Sequence, residues 1–560
     1  MSSKGTFSRR SLLKGAALGS GALLLGKTGM AYAPNGTSTA VRPYALPSIP
    51  GKVHIKPLLT TGDAVGDYHM AGIPDGLGAL DRGRTFEVFM NHEIAAGGIV
   101  RAHGSNAGFV SKWTIDSRTF RVLKGEDLTQ SANDVHTWNG TGYVTGTTVW
   151  PRLCSADLPD EKALRYGRLG TSERLFLNGE EVNFGRAWAR IATGPHAGHA
   201  WELPRLGKMS FENVVACPNG KSKTIVALTD DGSITTSAPA SSNPCEVYFY
   251  IGTKQATGTE IERAGLTNGK FYGVRVSRGS TLVTEESNDF GLGTSTTGFV
   301  DHGRFELVEI GPGGDVSGWS GLQIEEDSIS KNVFRMLRPE DSAWDPRVTG
   351  AEDLYFVTTG NIAADTSVAV NSRLWRLRFD DLDDPLSGGT IKILLSGKEL
   401  PAPGWRMLDN ICIDRHGRLL LQEDTGNNPW VARIWLYGLD TGTLTEIAHH
   451  DPALFQPTSA IGVTPVTGGP DFLTQDEESS GIIDVEHILG KGWFLFAVQN
   501  HKAVAPAADP FGLVEGGQLL ALYVDPKIGT QKFHPHVEHH DRDRHDDDHH
   551  DSHHSNEHDH

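Results

Sequence analysis

The chain has 560 residues, with 69 Asp and Glu against 51 Lys and Arg, and a formal net charge of -18 at pH 7. A polyanion of this kind is repelled by phosphodiester backbones and anionic lipid surfaces, which argues against nucleic acid and acidic membranes as partners. Its 66 glycines and 28 prolines demand frequent turns, and the length suits several small domains or one large closed architecture.

The first element in chain order is a targeting segment, residues 1–33. Arg9 and Arg10 precede Ser11-Leu12-Leu13-Lys14, a short glycine-diluted apolar run follows, and Ala31-Tyr32-Ala33 forms a small-x-small cleavage site. The run is too short to cross a bilayer, and the arginine pair reads as a twin-arginine export signal. Proteins on that route fold, and often load a cofactor, before crossing. The expected partner is the twin-arginine export machinery, and the expected location is periplasmic or secreted. No later run approaches membrane length, so the mature chain is expected to have no membrane span. Residues 34–50 read as a linker.

Residues 51–526 read as strand after strand. "TFEVFMNHE", "GFVSKWTID", "TIVALTD", "EVYFYIG", "FYGVRV", "DLYFVTTG", "RLWRLRF", "RLLLQED", "ARIWLYG" and "WFLFAVQNH" are short and β-branched or aromatic, with Gly, Asp, Asn and Pro turns between them. "WDPRVTGAEDLYFVTTG" (344–360) and "CIDRHGRLLLQEDTG" (412–426) share one grammar, a turn followed by a strand with a polar end. Radial repetition is how an all-β chain of this size avoids exposed edges. The expected fold is an all-β β-propeller with loop and short-helix insertions; a pair of β-sandwich domains is the alternative.

Carboxylates crowd the strand ends: Glu93 in Asn91-His92-Glu93, Glu180-Glu181, Glu212, Asp230-Asp231, Glu340-Asp341, Asp409-Asn410, Glu423-Asp424 and Asp476-Glu477-Glu478. Any one reads as a solvated turn. In a propeller, equivalent loops converge on a central channel, and packing several carboxylates there uncompensated costs several kcal/mol each. Bound cations remove that cost, and hard oxygen ligands favour Ca²⁺, Mn²⁺ or Fe³⁺. The four cysteines, Cys154, Cys217, Cys245 and Cys412, leave alternatives open. In an oxidising compartment they can form disulfides, with Cys217 and Cys245 flanking one hairpin as the candidate pair. Cys412 sits in an apolar strand and reads as buried. Cys154 reads equally as a soft metal ligand.

Taken in order, "NHE", the Cys154 segment, "GEE", "FEN", "RPE", "DN…D.HGRL..QED" and "EESSG" resemble the exported PhoX-type alkaline phosphatase family from about residue 50 to about 525. The resemblance implies a propeller that hydrolyses phosphomonoesters with a cluster of Fe³⁺ and Ca²⁺. It implies that Cys154 is an iron ligand, that Glu212 and Glu340 bind metal, and that Arg338 grips phosphate oxygens. Glu93, Glu180, Glu181, Asp409, Asn410, Asp424 and Glu478 follow as further ligand candidates. The chain departs from the family pattern at "CSADLP", at Phe211 before Glu212, and at Gln499-Asn500-His501. The chemistry suits these residues on its own terms. An acidic protein needs bound cations and a planar guanidinium to hold a phosphomonoester dianion. Another calcium-dependent propeller hydrolase (lactonase, phytase-like or phosphotriesterase) and a non-catalytic calcium-binding propeller are the alternatives.

The segment 527–560 ends in 27 residues that hold eleven histidines and nine carboxylates with one aliphatic side chain, Val537. It is expected to be disordered, and to bind transition metals through imidazole and carboxylate.

Overall fold

The computed structural model describes residues 38–232, 245–286, 301–360, 372–396, 406–426, 430–456, 469–505 and 508–530. The expected export signal, residues 1–33, and the expected tail from 531 onwards lie outside the described residues, whereas 527–530 of that segment are described. The chain is a β-propeller of six blades, each led by an inner strand: Pro74–Asp81, Leu153–Asp157, Phe211–Ala216, Pro339–Trp344, Leu408–Ile413 and Glu477–Asp484. Each inner strand neighbours the next, and the sixth neighbours the first, so the strands close a ring about a central channel.

Blade 1 is a plain four-stranded meander, 74–81, 85–92, 109–116 and 122–127. Blades 3 and 4 are joined by His302–Glu309, which lies between their outer strands, Lys270–Arg278 and Gly389–Ser396. Blades 5 and 6 share a sheet through the pairing of Arg418–Gly426 with Glu477–Asp484. The N-terminal segment closes the ring. Val53–Thr60 is the outermost strand of blade 6, paired with Gly516–Val524, so the first and last strands of the propeller hold each other. Ala45–Pro47, in the stretch that reads as a linker, adds to the edge of blade 5.

The alternating strands of the sequence put one apolar face on each side of a blade. Buried apolar side chains gather between neighbouring blades. Leu80, Phe89, Leu153, Phe176 and Trp188 fill the space between blades 1 and 2. Phe249, Trp344, Phe356 and Trp375 do so between blades 3 and 4, and Leu59, Leu77, Trp113, Leu495 and Leu519 between blades 6 and 1. Each such side chain contributes about 1.5–3 kcal/mol when fully buried. Helices are few and short, as the sequence suggests; Gly321–Ser330 is the longest among the described residues and caps itself through Ser320 and Gln323. Among the described residues no helix is long and apolar enough to cross a membrane.

All four cysteines are buried free thiols. Cys217 and Cys245, considered as a disulfide pair, stand at opposite ends of blade 3. Cys217 bonds to Ile225 at the hairpin turn, whereas Cys245 opens the third strand at the far end, beyond the Val247–Thr229 pair.

Candidate metal centre

The second residue of each inner strand is, in blade order, Asp75, Cys154, Glu212, Glu340, Asp409 and Glu478. Five carboxylates and one thiol thus occupy equivalent places around one end of the channel. A second ring lies beside them. The first residue of each inner strand pairs across its hairpin with His92, Glu180, Asp230, Thr358, Glu423 and Asn500. The residue after each of these is Glu93, Glu181, Asp231, Thr359, Asp424 and His501. Its backbone amide donates in every blade to the residue before the inner strand: Ile73, Arg152, Ser210, Arg338, Met407 and Asp476.

Backbone irregularity aims these side chains. In blades 1 to 5 the register slips at or just after the ligand position, and in blade 6 it slips at Gly481. A β-bulge of this kind turns a side chain out of the ladder. Ahead of the bulge, Ile73, Arg152, Arg338 and Met407 adopt φ of 49°, 47°, 58° and 47°. Such left-handed conformations in non-glycine residues cost about 1–3 kcal/mol each and gather at functional sites. Glycine serves where strands crowd: a Cβ at Gly76 would lie 2.4 Å from the Ala156 nitrogen, and one at Gly481 would lie 2.5 Å from the Asp75 carbonyl oxygen.

The rings interlock. Cys154 Sγ lies 3.4 Å from Asp75 Oδ2 and 3.3 Å from Glu212 Oε1. Ligand atoms within 4.8 Å of one another form three overlapping groups: Asp75, Glu93 and Cys154; Cys154, Glu181 and Glu212; and Glu212, Glu340 and Asp409. Burial, and then the negative charge of neighbouring carboxylates, pushes Asp75, Glu212, Asp409 and Glu181 well above the ordinary carboxylate range. Burial and Asp231 do the same to Glu340, against the opposing pull of Arg338. Burial and Glu478 push Asp424 up to about 7. The Cys154 thiol is raised by burial and by Asp75 and Glu212. Glu93 is the exception: burial works to raise it, but Arg152 and Gln499 hold it below its ordinary value.

Two guanidiniums flank blade 3 at the rim. Arg338 donates to Asp231 from Nε at 2.8 Å and Nη2 at 2.7 Å, and its Nη2 is 3.2 Å from Glu340. Arg152, at the matching place in blade 2, has Nη2 2.5 Å from Glu93 and 2.6 Å from Glu181. His501 donates from Nδ1 to Glu515 at 2.7 Å, and its Nε2 faces Glu478 at 3.9 Å. Burial opposes its proton, yet Glu478 and Glu515 hold it charged well above the ordinary histidine range.

The structure thus brings together Glu93, Cys154, Glu181, Glu212, Arg338, Glu340, Asp409, Asp424 and Glu478. Two expected ligands lie elsewhere. Glu180 precedes its ring residue by one, and so turns into blade 2 to accept from Arg186 and from Trp188 Nε1 at 3.0 Å. Asn410 follows its ring residue by one and lies beside Asp341 on the other side of the strand. Asp75, Asp231, Arg152 and His501 join the site without having been ligand candidates. Asp75 was legible: "PDG" at 74–76 matches "PED" at 339–341, an apolar residue, a carboxylate and a small or polar residue.

The donor set fits hard cations. Asp75 Oδ1 and Asp409 Oδ1 are buried with no hydrogen-bond partner, and neighbouring carboxylates repel, so a bound cation would offset both costs. One thiol among oxygens adds a single soft donor to that set.

No family model and no curated protein sequence matches the chain. Among solved structures it is similar to Pseudomonas fluorescens PhoX in complex with vanadate, a transition state analogue, with a TM-score of 0.53 and 13% identity over 90% of this chain and 100% of that one. A thermostable family-43 glycoside hydrolase is also similar, with a TM-score of 0.32 and 8% identity over 68% of this chain and 95% of that chain. At 13% identity the likeness to the PhoX structure is one of fold.

Proposed function

We propose that the chain is an exported, metal-dependent phosphatase acting on phosphomonoesters, with Fe³⁺ and Ca²⁺ as its ions. The observation that carries this reading is the closed ring of five carboxylates and one thiol with two guanidiniums at its rim. Asp75, Cys154, Glu212, Glu340, Asp409 and Glu478 would hold the ions, with Glu93, Glu181, Asp231 and Asp424 beside them. When bound, such ions supply Lewis acidity and positive charge to a phosphoryl group.

The chain's own residues do the rest. Arg338 and Arg152 present planar donors that can each take two phosphate oxygens, and Asp231, Glu93 and Glu181 orient them. His501 carries a proton at the rim, tied through Nδ1 to Glu515, and so can protonate a leaving alkoxide from Nε2. The fold likeness to PhoX in complex with vanadate, a transition state analogue, supports this reading.

Elemental analysis of the full-length protein, paired with turnover of an aryl phosphomonoester, tests the reading. Iron and calcium should both be found, chelation should abolish turnover, and returning the two metals should restore it. A metal-loaded protein that leaves a broad panel of phosphomonoesters untouched would refute the proposal. Export is tested separately: Arg9→Lys with Arg10→Lys should leave the protein in the cytoplasm.

A further inference from the structure

Cys154 sits in a bulge whose register slips between Leu153 and Ala156, so the ladder does not supply the usual partners for the carbonyls there. Blade 1 supplies a donor instead. Asn91 Nδ2, from the second strand of blade 1, donates to the Cys154 carbonyl at 2.7 Å and to the Ser155 carbonyl at 3.2 Å. Asn91 Oδ1 accepts from Asn178 Nδ2 at 2.9 Å, and Asn178 Oδ1 accepts from Arg190 Nε at 3.3 Å. Asn91, Asn178 and Arg190 are all 0% exposed.

The direction of this chain is not arbitrary. An asparagine amide fits its space either way round, but a guanidinium has donors and no acceptor. Arg190 therefore fixes the Asn178 oxygen towards itself, which turns the Asn178 NH₂ to Asn91 and the Asn91 NH₂ to the bulge. Arg190 is in turn packed 3.8 Å over the Trp150 ring. Burial pushes its pKa down to about 9, so it remains charged at neutral pH.

Matching residues make matching reaches. Asn91, Gln422 and Gln499 each stand two residues before their blade's outer-ring residue, and each reaches the inner strand of the next blade. Gln422 donates to Ser479 Oγ at 2.7 Å, and Gln499 to Asp75 Oδ2 at 2.9 Å. The side chain in blade 1 is one methylene shorter, and it holds backbone.

We propose that Arg190, Asn178 and Asn91 form a positioning relay for the Cys154 thiol: by gripping the two bulge carbonyls they keep Sγ in the channel between Asp75 and Glu212. The relay rests on the reading of Cys154 as a metal ligand.

The test uses the full-length chain with Asn91→Leu, which keeps the volume and removes both donors, and Cys154→Ser as control. In the metal-free protein, native alkylation with iodoacetamide is mapped by peptide mass spectrometry. Labelling of Cys154 should rise roughly tenfold, the scale set by an open state that no longer forfeits a buried hydrogen bond, while Cys217, Cys245 and Cys412 stay unchanged. In protein loaded with Co²⁺ alone, the thiolate-to-cobalt charge-transfer absorption should require roughly 10- to 100-fold more metal to appear, the usual cost of losing a residue that supports a ligand. Cys154→Ser lacks that band, which separates it from cobalt held by the histidine-rich tail. A merely structural Asn91 would lower the melting temperature, leave the labelling ratio of Cys154 to the other thiols unchanged and leave the cobalt band in place, and that result overturns the relay. Should Asn91→Leu fail to fold, Asn178→Leu carries the same measurements, with the same change expected and an unchanged thiol and band again overturning the relay. A wild-type protein without the cobalt band refutes Cys154 as a ligand, while the alkylation pattern still decides the relay.

Discussion

At one end of the inner strands Asp75 and Asp409 each keep a buried oxygen that no donor reaches. In the other half of the channel a cavity of about 760 Å³ is lined by all six blades, and it too carries carboxylates, Asp157, Asp341 and Asp484. These have donors. Asp157 takes the Ala216 amide of blade 3 at 2.9 Å, Asp341 takes the Ser342 amide at 2.8 Å and the Ile411 amide of blade 5 at 3.1 Å, and Asp484 takes Glu486 at 2.9 Å. Burial raises Asp157 and Asp341 to about 7 even so, the amides acting against it. Glu340 and Asp341 are consecutive, yet they face opposite ways and do different work. A buried carboxylate stitched to backbone amides is a structural part, whereas carboxylates that crowd one another and keep buried oxygens unpaired, as Asp75 and Asp409 do, suit cation binding.

The largest effect is expected where the ring itself is cut. Glu340→Ala or Glu212→Ala should lower the bound metal per chain and reduce phosphomonoester turnover by more than the roughly 100-fold typical of residues that only support ligands. Elemental analysis beside the rate measurement checks both. Arg338→Ala and Arg152→Ala should come next, each lowering kcat/KM roughly 100- to 1,000-fold, the scale of a lost transition-state donor, with metal content unchanged. Loss of metal in either variant would make the arginine a structural counter-charge for Asp231 or Glu181.

The contrast between the two ends also has a pH signature. Ring carboxylates such as Asp424, raised by burial and Glu478 to about 7, have folded-state values above their unfolded ones. Folding then takes up protons, so the contribution of Asp424 to stability is complete below about pH 4 and is lost as pH rises through about 7. Chelated protein should melt progressively lower between those limits, and Ca²⁺ should flatten the slope. A slope that chelation does not change would mean that the ring holds no ions.

Much of the fold was legible because strand alternation, turn residues and the acidic ends of "TIVALTDD" and "RLLLQED" are local properties. The site was legible only as far as the acidic dipeptides allowed. Which member of Glu180-Glu181 or Asp409-Asn410 enters the channel depends on register, and a slip of one residue flips the face. Asp75-Gly76 reads as a turn by composition unless it is set beside Glu340-Asp341, whose pattern it matches, and the pairing of Pro74 with His92 then places it in the ring. Arg152 and His501 owe their places to the hairpins across from them, partners that no stretch of neighbouring residues reveals.

The smallest effect expected is also the sharpest check of the contrast. Asp157→Leu removes the acceptor for the Ala216 amide between blades 2 and 3 and leaves every ring residue in place. An unpaired buried amide costs about 1–3 kcal/mol, so the variant should melt lower, while metal content and turnover per folded molecule stay at the wild-type level. Because the Asp157 carboxyl is pushed to about 7 by burial, its charge is already costly at neutral pH, and Asp157→Asn, which keeps an oxygen for the amide without the charge, should lose little or no stability. The same pair of substitutions at Asp409 should split the other way, with both variants losing metal, since there the negative charge itself is what the site uses.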